Sequence, residues 1–171
     1  IEEIANRRGL KVIYDAAHAF GVSYKGKPLL NYGDISTLSF HATKLFHTVE
    51  GGGITTNNPE LAHKIAYLRN FGHNGQEAFW GLGVNGKSSE FHAAMGLCVF
   101  PSIDEIIHQR SKLAEVYQQC FRDLKLEFFQ PQIPEGTVYN YAYLPIVLEN
   151  ENQLVAVRDG LNKEGIQPRR Y

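Results

Sequence analysis

Two short apolar segments, each ending in polar and turn-forming residues, constrain the fold of this chain most. Residues 10–14 lead directly to Asp15, and residues 35–40 lead through His41-Ala42-Thr43 to Lys44. Runs of this length that contain β-branched and aromatic residues predict buried strands. A third strand follows at 53–56, and a helix comes after it. The order strand, turn, strand, strand, helix indicates an α/β fold.

The remaining elements are predicted from hydrophobic spacing and from local start and stop signals. Asn58-Pro59 and Ser88-Ser89 are typical of helix beginnings, and Gly26 marks the bend of a hairpin. From about residue 126 the pattern becomes strand, strand, helix, strand, so we expect a domain boundary between residues 126 and 127. The pattern predicts helices at 1–9, 60–71, 88–98, 103–121 and 153–164, a hairpin at 24–28, a glycine-rich loop at 72–87, and strands at 126–129, 141–148 and near 166.

Composition excludes several classes of protein. Hydrophobic residues make up 43% and charged residues 20% of the chain, which is typical of a globular protein. The net charge of −1 gives no electrostatic reason to expect a nucleic-acid partner. No apolar run approaches the roughly 18 residues of a membrane span. Two cysteines, Cys98 and Cys120, are too few for a disulfide framework, so we expect a reduced, cytoplasmic setting.

Both ends of the sequence resemble the interior of a longer chain. Residues 1–9 have the pattern of the last turns of a helix, without an initiator methionine, and residues 167–171 resemble the start of a strand. We therefore expect the chain to be an internal segment of a larger protein.

Lys44 is the candidate for chemistry. A lysine is usually a solvated surface charge, but this one follows a predicted strand, as Asp15 and His18 do. The carboxyl ends of parallel strands share one edge of a sheet, so these three residues are expected in one crevice. A desolvated lysine near a fixed carboxylate suits Schiff-base chemistry on an aldehyde cofactor, which indicates pyridoxal phosphate.

His41, His47 and His73 match no zinc signature, and no metal site is expected.

More modest roles remain open for each of these residues. Asp15 is also a residue type that caps turns such as the one that it begins. A structural role is also open for His18, as a hydrogen-bonded histidine of the core. For Ser39 the structural role is that of an ordinary hydroxyl in a strand. Asn85 beside Gly86 is a favourable turn pair.

Several segments together resemble the DegT-type (DegT/DnrJ/StrS) nucleotide-sugar aminotransferases. These are pyridoxal-phosphate enzymes of the aspartate-aminotransferase fold, in which a mostly parallel sheet forms a large domain. The segments follow the order that they have in the family, from one end of the chain to the other. They are residues 13–21, 33–34, 38–44, 50–52, 68–72, 83–90 and 168–171.

The resemblance implies a role for each site residue. Lys44 would hold the cofactor as a Schiff base and, once displaced, carry the proton. Asp15 would pair with the pyridine nitrogen, which lets the ring accept electrons. His18 would contact the phenolic oxygen of the ring, and Ser39 would donate to the cofactor phosphate. Asn85 would reach the phosphate of a neighbouring subunit, because these sites are shared across a homodimer.

The resemblance also implies a reaction. An amino group would pass from an amino acid, with glutamate expected, to a nucleotide-linked keto-deoxysugar, and the motif around Lys44 looks more like members that aminate carbon 4. Residues 1–126 would belong to the large domain and residues 127–171 to the C-terminal small domain. Two alternatives remain open. One is a dehydratase of the same family, which would have histidine in place of Lys44, and the other is a non-catalytic relative that binds cofactor or dimerises.

Overall fold

The computed structural model describes residues 1–126 and 132–171. The chain divides into two compact units, the first formed by residues 1–112 and 134–142 and the second by residues 113–133 and 143–171. The first unit contains α1 (Glu2–Arg8), β1 (Ile13–Asp15), β2 (Ser23–Tyr24), β3 (Lys27–Pro28), β4 (Ile35–Ser39), β5 (Gly52–Thr55), α2 (Pro59–Leu68), α3 (Glu90–Val99) and β6 (Thr137–Val138). Two further helices are α4 (Ile103–Asp123) and α5 (Glu151–Lys163).

The main sheet of the first unit has the order β1-β4-β5. β1 and β4 are parallel, with Asp15 opposite Thr37. β5 runs antiparallel to β4, with Gly52 opposite Ser39. Among the described residues the sheet is therefore mixed, and the parallel pair β1 and β4 is the one that carries predicted site residues. The predicted α/β class is confirmed.

Local sequence signals explain where the helices begin and end. Asn58 caps α2, since its side-chain oxygen accepts hydrogen bonds from the amides of Glu60 and Leu61 at 2.9 and 3.1 Å. Ser89 caps α3 in the same way through the amide of His92. α2 ends at Leu68, earlier than predicted, and the chain turns sharply at Phe71, whose φ is 55°.

The predicted hairpin is present as β2 and β3. Its two loop residues, Lys25 and Gly26, have φ values of 48° and 76°, and two positive φ angles are typical of the tight turns that match strand twist. β2 also pairs with β6, with Ser23 opposite Val138. This second sheet joins the beginning of the chain to residues 137–138.

The second unit is simpler. Asn150 caps α5 by accepting a hydrogen bond from the Gln153 amide at 3.0 Å. Of the predicted strands, 126–129 falls almost entirely outside the described residues. The prediction of strands over 141–148 and near 166 is wrong for the described backbone, which is irregular there apart from a bridge residue at Val147. The predicted domain boundary between residues 126 and 127 stays a prediction.

In the part of the chain that the structure describes, no helix is both long and apolar enough to cross a membrane.

Candidate active site

The site lies at the carboxyl edge of the parallel pair β1 and β4. Asp15 is the last residue of β1, and Ser39 is the last residue of β4. The Ala16 amide donates to the Thr37 carbonyl at 2.8 Å, which continues the pairing just past the end of β1. The two strands therefore deliver Asp15 and Ser39 to one edge, and the turns that follow them carry His18 and Lys44.

His18 and Lys44 are in direct contact. Lys44 Nζ lies 2.7 Å from His18 Nε2, although the two residues are 26 positions apart in sequence. Asp15 Oδ1 accepts a hydrogen bond from the Ala17 amide at 3.1 Å and so closes the turn that carries His18. Asp15 thus caps its turn and also stands close enough to influence the charge of His18.

The pKa of His18 is lowered from its ordinary value of 6.5. Partial burial of the ring is the larger cause, the Lys44 ammonium acts in the same direction, and the Asp15 carboxylate opposes both. These influences favour a neutral imidazole. The contact with Lys44 then assigns the acceptor nitrogen to Nε2 and the proton to Nδ1.

The turn that carries Lys44 is held by His41. The Lys44 amide donates to the His41 carbonyl at 2.9 Å, and the Thr43 amide donates to His41 Nδ1 at 3.2 Å. His41 Nε2 lies 3.7 Å from a carboxylate oxygen of Glu50. Sequence reasoning considered His41 only as a metal ligand, whereas the structure shows that it braces the turn. Among the described residues no group of three or more metal-binding side chains occurs.

The glycines after Glu50 are required by a close approach of the chain to itself. A Cβ atom on Gly52 would lie 2.8 Å from the Leu38 carbonyl oxygen, inside van der Waals contact. Gly51 has a φ of 153°, and a Cβ there would collide with the Thr48 side chain. The Phe40 amide donates to the Gly51 carbonyl at 2.8 Å. This tight closure fixes both ends of the segment that contains Lys44.

An aromatic cluster joins the two turns. Phe20 stacks on Phe46 with ring centroids 4.6 Å apart, and Phe40 meets Phe46 edge-on at 5.0 Å. Phe20 belongs to the turn of His18, whereas Phe40 and Phe46 flank Lys44 in sequence. Aromatic pairs at these distances stabilise a fold beyond the area that they bury. The cluster therefore fixes the relative positions of the His18 and Lys44 turns.

Asn140 is a further contributor that sequence reasoning missed. Its side chain is fully buried, and its amide nitrogen donates to the carbonyls of His18 and Phe20 at 3.0 and 2.8 Å. It lies just after β6 in a Val-Tyr-Asn-Tyr-Ala segment that carries no motif. Only the three-dimensional contact reveals that it belongs to the site.

The two remaining predicted residues differ in their placement. Ser39 lies at the site edge, and its hydroxyl accepts a hydrogen bond from the His41 amide at 3.5 Å. Asn85 lies in the loop between α2 and α3, where it forms a β-bridge with Asn70 and accepts a hydrogen bond from Lys87 Nζ at 2.8 Å. The structure thus brings Asp15, His18, Ser39 and Lys44 together and places Asn85 on a separate loop.

The four side chains offer the functional groups that pyridoxal phosphate needs. They are a primary amine for the aldehyde, a carboxylate for the ring nitrogen, an imidazole for the ring hydroxyl and an alcohol for the phosphate. Because all four lie at one strand edge, the residues present fit that cofactor. Their individual roles remain predictions.

Comparison with known proteins shows where this arrangement belongs. The model of the DegT/DnrJ/EryC1/StrS aminotransferase family matches residues 1–171. The dTDP-4-amino-4,6-dideoxy-D-glucose transaminase of Shigella dysenteriae is 40% identical over 174 residues, which cover 100% of this chain and 47% of that protein. The GDP-perosamine synthase of Caulobacter vibrioides is 36% identical over 135 residues, covering 78% of this chain and 36% of that protein.

Solved structures agree in fold. DesI in the presence of its TDP-sugar product is 31% identical, with a TM-score of 0.85 over 98% of this chain and 43% of that chain. A DegT DnrJ EryC1 StrS aminotransferase from Brucella abortus is 26% identical, with a TM-score of 0.85 over 97% of this chain and 43% of that chain. The chain thus spans about half the length of the relatives that it matches, with 47% of the Shigella protein covered. By its family match and its fold, the chain belongs to the DegT/DnrJ/EryC1/StrS aminotransferase family.

Proposed function

We propose that this chain provides part of a pyridoxal-phosphate-dependent aminotransferase that acts on nucleotide-linked keto-deoxysugars. The observation that carries the proposal is the contact of Lys44 Nζ with His18 Nε2 at 2.7 Å, at the strand edge where Asp15 ends β1. Residue 44 is lysine and not the histidine expected of a dehydratase, which favours amino transfer.

The chain's own residues have distinct tasks in this proposal. Bound pyridoxal phosphate supplies an electron sink for the carbon that loses a proton. Lys44 Nζ binds the cofactor aldehyde and, when free, carries a proton at that nitrogen. Asp15 pairs with the ring nitrogen and keeps it protonated, because a carboxylate stabilises the adjacent positive charge. His18 orients Lys44 Nζ and faces the ring hydroxyl, and the Ser39 hydroxyl donates to the phosphate.

The relatives support the substrate class. The Shigella relative is named as a transaminase of dTDP-4-amino-4,6-dideoxy-D-glucose, and the DesI structure was determined with a TDP-sugar product. We propose carbon 4 as the position aminated and glutamate as the amino donor. We also propose that the protein acts in the reducing environment of the cytoplasm.

A homodimer with shared sites is part of the same proposal. Apolar side chains around α3 are unusually exposed in the single chain: Phe91 is 90%, Leu97 76% and Phe100 61% accessible. Contiguous exposed apolar surface marks interaction sites, and we propose that these side chains contribute to such a surface. A second copy is the proposed partner, with Asn85 reaching the cofactor phosphate of the neighbouring subunit.

Reductive labelling tests the role of Lys44. The full-length protein is incubated with pyridoxal phosphate, reduced with borohydride and digested, and we expect the mass increase on the peptide that contains Lys44. Lys44→Ala should abolish the label and lower the amino-transfer rate about 10³-fold, the scale of a lost proton-transfer group. Lys11→Ala is the matched control, since Lys11 pairs with Asp34 through an exposed contact before the start of β1. Label on another peptide, or no label, would contradict the proposal.

A substrate panel tests the reaction. The protein is offered dTDP-, GDP- and UDP-linked 4-keto and 3-keto deoxysugars with glutamate, and the formation of 2-oxoglutarate is followed. We expect turnover with 4-keto sugars. Turnover of 3-keto sugars alone would correct the carbon assignment, and loss of water without amino transfer would identify a dehydratase.

A further inference from the structure

Both polar atoms of the Asn140 side chain form hydrogen bonds within the first compact unit. The residue is 1% exposed. Its amide nitrogen donates both hydrogens, to the His18 and Phe20 carbonyls, and its amide oxygen accepts from the Ala142 amide at 3.1 Å. A side-chain amide can form four hydrogen bonds, two from its nitrogen and two to its oxygen; Asn140 forms three of them, and neither polar atom is left without a partner. A buried side chain whose polar atoms are all hydrogen-bonded favours one local geometry, because any other would leave a polar atom unpaired.

The geometry that Asn140 specifies is that of the turn after β1. The two carbonyls that it holds flank Ala19 and belong to the turn that carries His18. The apolar side of this turn is already anchored, since Phe20 stacks on Phe46. Asn140 therefore contributes something that packing does not, namely the orientation of the backbone at His18.

Asn140 is itself held from a second direction. Tyr141 adopts a φ of 50°, which lets the Ala142 amide return to the Asn140 side chain. Arg110 Nη1 then donates to the Ala142 carbonyl at 2.8 Å and connects this segment to α4. A non-glycine residue with positive φ carries backbone strain, which persists only where surrounding contacts fix it.

We propose that Asn140 is a positioning residue that holds His18 Nε2 against Lys44 Nζ and thereby acts on amino transfer through His18. This inference rests on the proposed function. It assigns to Asn140 no contact with substrate or cofactor. Replacement by aspartate would set a carboxylate oxygen against two carbonyl oxygens, and replacement by serine would remove the Asn140 hydrogen bond from at least one of those carbonyls.

The test is a double-mutant cycle in the full-length, cofactor-loaded protein. Asn140→Asp and Asn140→Ser are made alone and in a His18→Ala background. Alone, each is expected to lower kcat between about tenfold and a hundredfold, because a displacement of about 1 Å near the chemistry has effects of this size. KM for the nucleotide sugar should change less than about threefold. In the His18→Ala background the same substitutions should change kcat no more than about twofold, since contacting residues are not additive.

Ser36→Ala is the control for a merely structural effect. Ser36 is equally buried and its hydroxyl donates to the Tyr32 carbonyl at 3.5 Å, in the first half of β4. It should lower stability without changing kcat or the cofactor absorbance. Additive losses of kcat in the His18→Ala background would overturn the proposal, as would an unchanged kcat in folded Asn140 variants.

A second readout does not depend on cofactor. In the cofactor-free protein, NMR titration of His18 should show its pKa moving toward 6.5 in the Asn140 variants, as the ring leaves Lys44 and becomes more solvated. If neither Asn140 variant folds, Arg110→Met, which releases the Ala142 carbonyl, should produce the same direction of change. An unmoved His18 titration overturns the inference. Absence of borohydride label at Lys44 in the wild type would instead overturn the proposed function.

Discussion

The turns that carry Asp15, His18 and Lys44 and the loop that carries Asn85 are built by different means. The turns are held by contacts from distant parts of the chain, including Asn140 and the aromatic cluster. The loop over residues 72–89 is held largely by backbone bonds to the end of α2, such as Val84 amide to Leu68 carbonyl at 2.8 Å and Gly86 amide to Arg69 carbonyl at 2.7 Å.

Exposure follows the same division. Leu45, next to Lys44, is 6% exposed, whereas Leu82 and Phe79 in the loop are 94% and 67% exposed. The contacts described for the turns therefore come from residues of the same chain. The loop presents apolar side chains outward, which is expected of a segment that a partner covers. The exposure of the loop is compatible with the proposal above that Asn85 serves the site of a neighbouring subunit.

The largest expected effect is a recovery of amino-transfer activity when two inactive variants are mixed. Lys44→Ala removes the amine, and Asn85→Asp places a carboxylate at the proposed phosphate contact, so each homodimer should be nearly inactive. A mixed dimer would regain one intact site, because Lys44 and Asn85 then come from opposite subunits. After unfolding and refolding at equal amounts, we expect about a quarter of the wild-type kcat, from random pairing in a twofold assembly.

The control for mixing is a pair of residues from the same set of turns. Lys44→Ala mixed with Asp15→Asn leaves every site defective, so no activity should return. Recovery in this control, or none with Asn85→Asp, would show that the sites are not divided between subunits as proposed.

An intermediate effect is expected on stability. Phe46→Ala removes the centre of the aromatic cluster and should lower the free energy of unfolding by about 2 kcal/mol, less than the value for a fully buried phenylalanine because Phe46 is only half-buried. Phe79→Ala, in the exposed loop, should change it by less than about 0.5 kcal/mol. Urea unfolding at one fixed protein concentration measures both. Equal losses would mean that the loop is as tightly integrated as the turns.

The smallest effect is electrostatic. In the cofactor-free protein, Asp15→Asn should lower the pKa of His18 further, because the carboxylate raises it, and Lys44→Met should raise it. NMR titration of the His18 ring measures both changes, and Asp34→Asn, at the other end of β4, serves as the control. Shifts in the same direction for Asp15→Asn and Lys44→Met would contradict the described contacts.

The same titration predicts a dependence of stability on pH. The folded-state pKa of His18 lies below the unfolded value of 6.5. Between those two values the unfolded chain binds more protons, so the His18 contribution is fully present above pH 6.5 and is lost as pH falls through the folded-state pKa. His18→Gln should remove this part of the acid sensitivity.

Much of the fold could be predicted because its signals are local. The Asn58-Pro59 and Ser89 caps, the Lys25-Gly26 turn and the strand ends at Asp15 and Ser39 each depend on neighbours in sequence. The shared edge followed from the parallel pairing of β1 with β4. The antiparallel direction of β5 has no comparable local signal. The residues of a strand indicate that it is extended and partly buried, but not whether it pairs parallel or antiparallel with its neighbour β4.

Other parts of the site depend on contacts that no short pattern records. Asn140 acts on residues 120 and 122 positions away. Gly51 and Gly52 are constrained by Thr48 and Leu38 of the same chain, and those close approaches are set by tertiary structure. Nothing in the sequence around His41 indicates that its ring accepts a hydrogen bond from the Thr43 amide. Tertiary packing decides each of these cases.

The bonds from Asn140 also set an order of events during folding. The carbonyls of His18 and Phe20 can accept the Asn140 hydrogen bonds only after residue 140 has been synthesised, 122 and 120 positions later in the chain. Closing a loop of that length costs chain entropy and slows formation of the contact. During synthesis we therefore expect the Asn140 bonds to form after β1, β4 and β5 are already available to pair.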